Sequence, residues 1–225
     1  MGWRVTGVAL GVFCAIAGVS GASAADVSSV TTGSSVTTSS SSARSSSPQF
    51  AGFGIEPYVA PADQPYINPL QEVRVGVFAH NWIHDEDAPV DVSVEVLSSP
   101  LHLWDTTNPW IAWFFNPRTN IGGMINTGGG TSYGFAGLTW RIPIYGKFFF
   151  EGEFGGAVNN SPLHPEYHRV DMGCRFTFRE SGGFGYQFNE HFDVIASIEH
   201  VSHASFCTNI NPGLTQVGAR IGYKF

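Results

Sequence analysis

Residues 199–205 of this 225-residue chain read EHVSHAS and place a serine two residues after a histidine. His200 and Ser202 are side chains of the types that serve as general base and nucleophile in ester hydrolysis. Two positions on one face of a β-strand lie about 7 Å apart, which an imidazole reaching towards a hydroxyl can span. The pair therefore indicates either acyl-ester chemistry or two polar residues on a wet surface.

The segments that must position this pair alternate in polarity with a period of two. At 90–96, VDVSVEV, every second residue is valine, and Asp, Ser and Glu lie between the valines. This is the periodicity of a β-strand rather than of a helix. The same analysis predicts about eight strands, near 72–81, 90–98, 111–123, 131–142, 147–157, 171–188, 191–203 and 214–225.

The strand pattern favours a membrane protein. Several predicted strands have ten or more residues, their number is even, and aromatic residues are abundant, as in transmembrane β-barrels with an apolar outside and a polar inside. Eight strands enclose a narrow interior, so charges on the inner parity must pair across it. These charges are Glu72, Arg74, Asp91, Glu95, Arg220 and Lys224. The alternative is a soluble ligand-carrying barrel, whose apolar row would face inward.

The N-terminal part of the chain predicts export followed by a segment without a fold. Residues 1–24 contain Arg4, an apolar stretch and a closing Ala-Ser-Ala, the layout of a secretory signal peptide. Residues 25–70 begin with a run dominated by Ser and Thr, which predicts a disordered tail and lead-in. We therefore predict an all-β protein: signal peptide, Ser/Thr-rich tail, and an eight-stranded antiparallel transmembrane β-barrel over 71–225.

Parity also orients the opening pair. His200 and Ser202 continue the apolar, lipid-facing row of 192–198, whereas Glu199 and His203 point into the lumen. With the N-terminal tail in the periplasm, the seventh strand ends at the extracellular rim. A serine beside a histidine near the lipid headgroups is suited to attack on a lipid ester. The competing interpretation is a pair of interfacial residues that hydrogen bond to headgroups.

Composition restricts partners and ligands. The formal net charge of −7 argues against nucleic acid as a partner. We assign no metal site, because HNWIHDEDAP at 80–89 is interpreted as a solvated acidic loop and HPEYH at 164–168 lies in a proline-containing loop. Cys174 and Cys207 meet an oxidising compartment and either pair or stay as two thiols.

The C-terminal part resembles a known family. The stretch MGCRFTFRESGGFGYQFNEHFDVIASIEHVSHASFCTNINPGLTQVGARIGYKF is similar to the lipid A 3-O-deacylase (acyloxyacyl hydrolase) outer-membrane barrels. Their signature is His-x-Ser-Asn-Ala, a short loop with Asn-x-Gly, and a glycine-rich last strand ending in an aromatic residue. The resemblance implies the Gram-negative outer membrane as location, lipid A or lipopolysaccharide as substrate, and no cofactor. It leaves open whether the barrel forms a homodimer.

The resemblance also implies roles for individual residues. Ser202 would be the nucleophile, His200 the general base, and Asn211 an oxyanion donor. Two positions depart from the family: His203 replaces an asparagine, and Thr215 replaces the carboxylate that orients the histidine. Three options follow, namely a slow Ser–His dyad, a carboxylate from a neighbouring strand or loop, or a non-catalytic barrel of structural or surface-interaction type.

Overall fold

The computed structural model describes residues 67–81, 86, 90–104, 106–164, 166–207 and 212–225. Within them lie eight antiparallel strands and one helix: β1 (Glu72–Ala79), β2 (Val90–Pro100), α1 (Pro109–Phe115), β3 (Arg118–Asn126), β4 (Tyr133–Tyr145), β5 (Phe148–Asn159), β6 (Phe176–Gln187), β7 (Phe192–Ser202) and β8 (Leu214–Lys224). Each strand pairs with the next, and β8 pairs with β1, so the barrel is closed. The predicted eight-stranded barrel is confirmed. The predicted signal peptide, 1–24, and most of the Ser/Thr-rich tail lie outside the described residues.

The apolar row of each strand faces outward. Val75, Val77 and Val94 are 52%, 59% and 51% exposed, whereas the residues that alternate with them are buried. The interpretation as a soluble barrel with an apolar interior is therefore wrong. No helix in the described part of the chain is long and apolar enough to cross a membrane.

Charged side chains fill the barrel interior and pair with one another. Arg74 is fully buried and lies 2.6 Å from carboxylate oxygens of both Glu72 and Glu151. Arg220 is also buried and forms an ion pair with Glu199. The predicted pairing of inward charges across a narrow interior is thus observed. Removing one partner of such a pair leaves an uncompensated buried charge, so these residues constrain one another strongly.

The third predicted strand, 111–123, is wrong in its first half. Residues 109–115 form the helix α1, and β3 begins only at Arg118. The side chain of Asn108 caps α1 by accepting hydrogen bonds from the backbone N–H groups of Trp110 and Ile111, and Pro109 occupies the first turn, where it costs no hydrogen bond. The indole N–H of Trp113 donates to the carbonyl of Arg141 and ties α1 to β4.

The barrel has two rims with different roles. Glu72 pairs with Lys224, so β1 begins and β8 ends at the same rim, which we call the terminal rim. The other rim, where β1 ends at Ala79 and β7 ends at Ser202, is called the loop rim. Outer-membrane barrels have short periplasmic turns and longer extracellular loops; two of the three connections at the terminal rim, 146–147 and 188–191, are short turns, and the third, 101–117, contains α1. The loop rim carries the candidate site.

A buried histidine closes the interior near the loop rim. His80 Nδ1 lies 2.8 Å from both carboxylate oxygens of Asp91, and Nε2 lies 2.9 Å from Glu86 Oε2. Burial lowers the pKa of His80, but the hydrogen bonds to Asp91 and Glu86 outweigh this and raise it from 6.5 to about 9. The interpretation of 80–89 as a solvated loop is therefore wrong for His80 and Glu86, which are both buried.

Candidate active site

Side chains from three neighbouring strands lie side by side on the outward face near the loop rim. In the strand register, His200 of β7 is paired with Glu180 of β6 and with Thr215 of β8. Ser202, the last residue of β7, is paired with Phe178. His200 and Ser202 are partly exposed and lie on the same face as the outward apolar row.

A hydrogen bond fixes one edge of the imidazole. His200 Nδ1 lies 2.9 Å from Thr215 Oγ1, which confirms the parity prediction that residue 215 stands beside the histidine. Thr215 is buried, so water competes little for its hydroxyl. When Nδ1 carries the proton and donates to Oγ1, Nε2 keeps a lone pair and can act as a base.

A glycine in the loop before β8 determines where the other edge of the ring lies. Gly213 has φ +69°, and a Cβ added there would come within 2.6 Å of His200 Cε1 and 3.1 Å of Nε2. Since His200 pairs with Thr215 and Val201 with Leu214, continuing this register by one residue brings Gly213, just before β8, level with Ser202. The Nε2 edge is thus directed towards the Ser202 end of the strand.

Aromatic side chains lie on the β6 side of Ser202. Phe178, which is paired with Ser202, stacks on Phe154 of β5 with ring centroids 6.1 Å apart. Phe206, in the loop after β7, lies 5.7 Å from Phe178 and is largely exposed. These three rings form an apolar surface beside Ser202 that could accept a hydrocarbon chain.

The sequence-predicted site residues are only partly assembled. The described residues include no hydrogen bond between the Ser202 hydroxyl and the His200 imidazole; such contacts are often loose in the absence of substrate. Asn211, the predicted oxyanion donor, lies outside the described residues. Glu199 faces the interior and pairs with Arg179 and Arg220, so it does not serve His200. In the described part of the chain, no group of His, Cys, Asp and Glu side chains is arranged to hold a metal ion.

A disulfide joins the loop after β7, which follows Ser202, to the loop between β5 and β6. Cys174 and Cys207 are joined, with Cα atoms 5.9 Å apart. Between Ser202 and the disulfide, Ala204 and Ser205 both adopt left-handed φ angles, +48° and +67°, and reverse the chain after β7. The two cysteines that the sequence left undecided therefore anchor the loop that follows Ser202.

Comparison with known proteins identifies the family. The family model described as lipid A 3-O-deacylase (PagL) matches residues 98–224, which is more than half of the chain. The chain belongs to the lipid A 3-O-deacylase family. It is an outer-membrane β-barrel, and the enzymes of its family are hydrolases. No curated protein sequence matches it significantly.

One solved structure shows the same fold as this deacylase-family barrel, and another is reported for comparison. The crystal structure of the outer membrane enzyme PagL is 15% identical and has a TM-score of 0.52; the match covers 68% of this chain and 99% of that one. Neisserial surface protein A is 9% identical with a TM-score of 0.44, over 71% of this chain and 99% of that one.

The family motif does not point to two residues that lie next to His200, namely Glu180 and Gly213. Glu180 stands next to Arg179 in FTFRESGGF, and only its parity with Phe176, Phe178 and Phe184 signals that it points outward. Gly213 belongs to the Asn-x-Gly loop, but its contact with the imidazole depends on the register of β7 and β8. Strand pairing was the missing information in both cases.

Proposed function

We propose that this protein hydrolyses an ester-linked acyl chain of lipid A at the outer surface of the outer membrane. Family membership supports both the reaction class and the substrate. The observation that carries the mechanism is the orientation of His200, with Nδ1 bonded to Thr215 and the Nε2 edge directed towards the level of Ser202. This arrangement lies on the outward face, where lipid A itself is located.

Ser202 is the nucleophile in this mechanism. His200 Nε2 removes the proton from Ser202 Oγ as the oxygen attacks the acyl carbonyl carbon. The tetrahedral intermediate then collapses, the bond from the carbonyl carbon to the sugar oxygen breaks, and His200 returns the proton to that oxygen. Water, deprotonated by His200, next attacks the acyl carbonyl carbon, the bond from that carbon to Ser202 Oγ breaks, and His200 returns the proton to Oγ as the fatty acid leaves.

Asn211 is proposed as the oxyanion donor. The charge on the tetrahedral oxygen needs hydrogen-bond donors placed before the reaction begins, and removal of one such donor costs roughly 10²-fold or more in rate. The apolar surface of Phe154, Phe178 and Phe206 would receive the acyl chain, because it borders Ser202 and faces the lipid. The acyl chain and the ester bond to be cleaved would thus contact the protein at the same depth in the membrane.

Mass spectrometry of lipid A tests this function. We expect the purified, folded barrel to remove one acyl mass from lipid A in detergent, and Ser202→Ala and His200→Ala to remove none. Ser205→Ala is the matched control, because Ser205 is an exposed serine three residues after Ser202, in the loop that follows β7. It should retain the activity of the parent.

Two outcomes contradict the proposal. Unchanged lipid A after incubation with a verified folded parent, across several lipid A types, would favour the non-catalytic barrel. Equal activity of the parent and Ser202→Ala would keep the reaction but assign it to another residue. Folding of each variant is checked by SDS gel electrophoresis, in which an unheated folded barrel migrates differently from the heated, unfolded protein.

A further inference from the structure

One carboxylate lies on the lipid-facing surface of the barrel. The outward-facing positions of the eight strands are occupied by apolar, aromatic, glycine, threonine, serine and histidine residues, with Glu180 as the only acidic or basic exception apart from His200. Charged residues on the lipid side of a barrel are destabilising and mark functional positions in membrane proteins. Glu180 therefore needs an explanation.

The strand register places this carboxylate opposite the proposed base. Glu180 of β6 and His200 of β7 are directly paired, so their Cβ atoms are about 4.5–5.5 Å apart. The other neighbour of Glu180, Phe154 of β5, is apolar and offers no partner. The only charged residue and the only imidazole on the outward face of the strands are thus immediate neighbours.

We infer that Glu180 supplies the negative charge that stabilises the protonated form of His200 during catalysis. This inference rests on the proposed function. In the related deacylases, the resemblance places that charge two residues after the loop glycine, on the β8 side of the histidine; here the neutral Thr215 stands there. In this chain a carboxylate, that of Glu180, lies instead on β6, on the opposite side of the same histidine.

The two flanking residues divide one task. Thr215 holds Nδ1 by a hydrogen bond and so selects the ring orientation. Glu180 needs no bond to the ring, because an opposite charge within about 4–6 Å favours the imidazolium, and the effect grows where lipid excludes water. No proton moves to Glu180; it acts through His200 and is a positioning residue rather than a catalytic one.

Other charges are poorly placed to act on His200. On β7, the neighbouring Glu199 and Asp193 point into the barrel, as does Arg179 on β6. On β8, Arg220 also points inward. Among the strands that pack against His200, only Glu180 presents a charge on its face.

Glu180→Gln is the test, because it removes the charge and keeps the size. We expect kcat to fall about 10- to 100-fold with little change in KM, and the acid limb of the pH–rate profile to move down by about half a unit to one unit, since His200 then loses its proton more easily. Glu190→Gln is the matched control: Glu190 is an exposed carboxylate in the turn between β6 and β7 at the terminal rim.

A rescue variant distinguishes an electrostatic role from a structural one. Thr215→Glu returns a carboxylate to the β8 flank, so Glu180→Gln/Thr215→Glu should recover most of the lost kcat. Glu180→Asp should retain more activity than Glu180→Gln. A lower kcat that neither variant restores, without a shift of the pH profile, would overturn the inference.

A measurement without substrate separates this inference from the proposed function. The ring resonances of His200, assigned with a His200→Ala variant, are titrated by NMR in the parent and in Glu180→Gln. A lower titration midpoint of His200 in Glu180→Gln supports the inference, whether or not the parent acts on lipid A. An inactive parent with this lower midpoint would overturn the proposed function alone. Equal midpoints, or full activity of Glu180→Gln beside an inactive Ser202→Ala, would sink the inference alone.

Discussion

His200 Nδ1 is hydrogen bonded to Thr215 Oγ1 at 2.9 Å, so a neutral hydroxyl occupies the place where related deacylases are expected to carry a carboxylate. A hydroxyl can fix the orientation and tautomer of an imidazole, but it contributes no charge to the imidazolium. Orientation and charge stabilisation are therefore separable in this barrel, and each can be measured with its own variant.

Thr215→Val should lower the deacylation rate by about three- to tenfold, because it keeps the shape of the side chain and removes one hydrogen bond. Thr215→Ser keeps the hydroxyl and should stay near the parent rate. Single-turnover release of fatty acid checks both variants. An unchanged rate in Thr215→Val would mean that the ring is held by other contacts.

Gly213→Ala should reduce activity about 10²-fold or more. An added Cβ would lie 2.6 Å from His200 Cε1 and push the ring away from the Ser202 level, and misplacement of a catalytic group by about 1 Å costs that much. The positive φ of +69° adds backbone strain. Lipid A deacylation by the folded variant gives the measurement.

Gly146→Ala is the control for backbone strain. Gly146 has a similar φ of +57°, and an added Cβ would meet nothing within 4 Å. Its variant should lose a little stability and keep its activity. Equal loss of activity in both variants would attribute the effect to strain rather than to the contact with His200.

The disulfide between Cys174 and Cys207 should stabilise the barrel by about 2–4 kcal/mol, the usual range for a native cross-link. Cys207 is exposed, so a reductant can reach it. We expect dithiothreitol to lower the urea midpoint of the parent and the fraction of active enzyme after warming. Cys174→Ser/Cys207→Ser should be equally weak with and without reductant. Two thiols that label freely in the untreated parent would contradict the cross-link.

The stability of the barrel should decline above neutral pH because of His80. Its pKa is about 9 in the folded protein and near 6.5 when unfolded, so the stabilisation is complete below pH 6.5 and is lost as the pH rises through 9. The shift corresponds to about 3 kcal/mol. Urea unfolding at pH 6 and pH 10 measures it.

His80→Gln isolates this contribution from other titrating groups. The variant should unfold at lower urea than the parent at pH 6, and the difference between the two should shrink at pH 10. A constant difference over this range would show that the ion pairs of His80 with Asp91 and Glu86 do not depend on its proton.

Alternation of polarity was sufficient to predict the eight strands and the direction of their faces. In VDVSVEV, for example, valines exposed to lipid and polar residues in the interior follow directly from a period of two. The same rule failed at 111–115, because IAWFF is apolar throughout and has no alternation. There the capping side chain of Asn108 and Pro109 determine a helix instead.

The sequence predicted which face of its own strand each site residue occupies, but it did not predict every neighbour on the adjacent strands. Parity placed His200 and Ser202 on the outward face of β7 and Thr215 on the outward face of β8, because parity needs only the spacing within each strand. Glu180 could not be related to His200 in this way, since a shift of two residues in the β6–β7 register would keep its face and change its neighbour. The turn at 188–191, in which the N–H of Phe188 donates to the carbonyl of Phe192, sets that register.

Arginine and glutamate side chains fill the interior of the barrel, and we expect it to conduct neither ions nor small solutes. A porin of similar height weakens the permeability barrier with every copy that is inserted. This barrel avoids that effect, because ion-paired side chains occupy its interior and its proposed site lies on the outer surface. A cell could therefore adjust the extent of lipid remodelling through the number of copies alone, while its surface stays sealed.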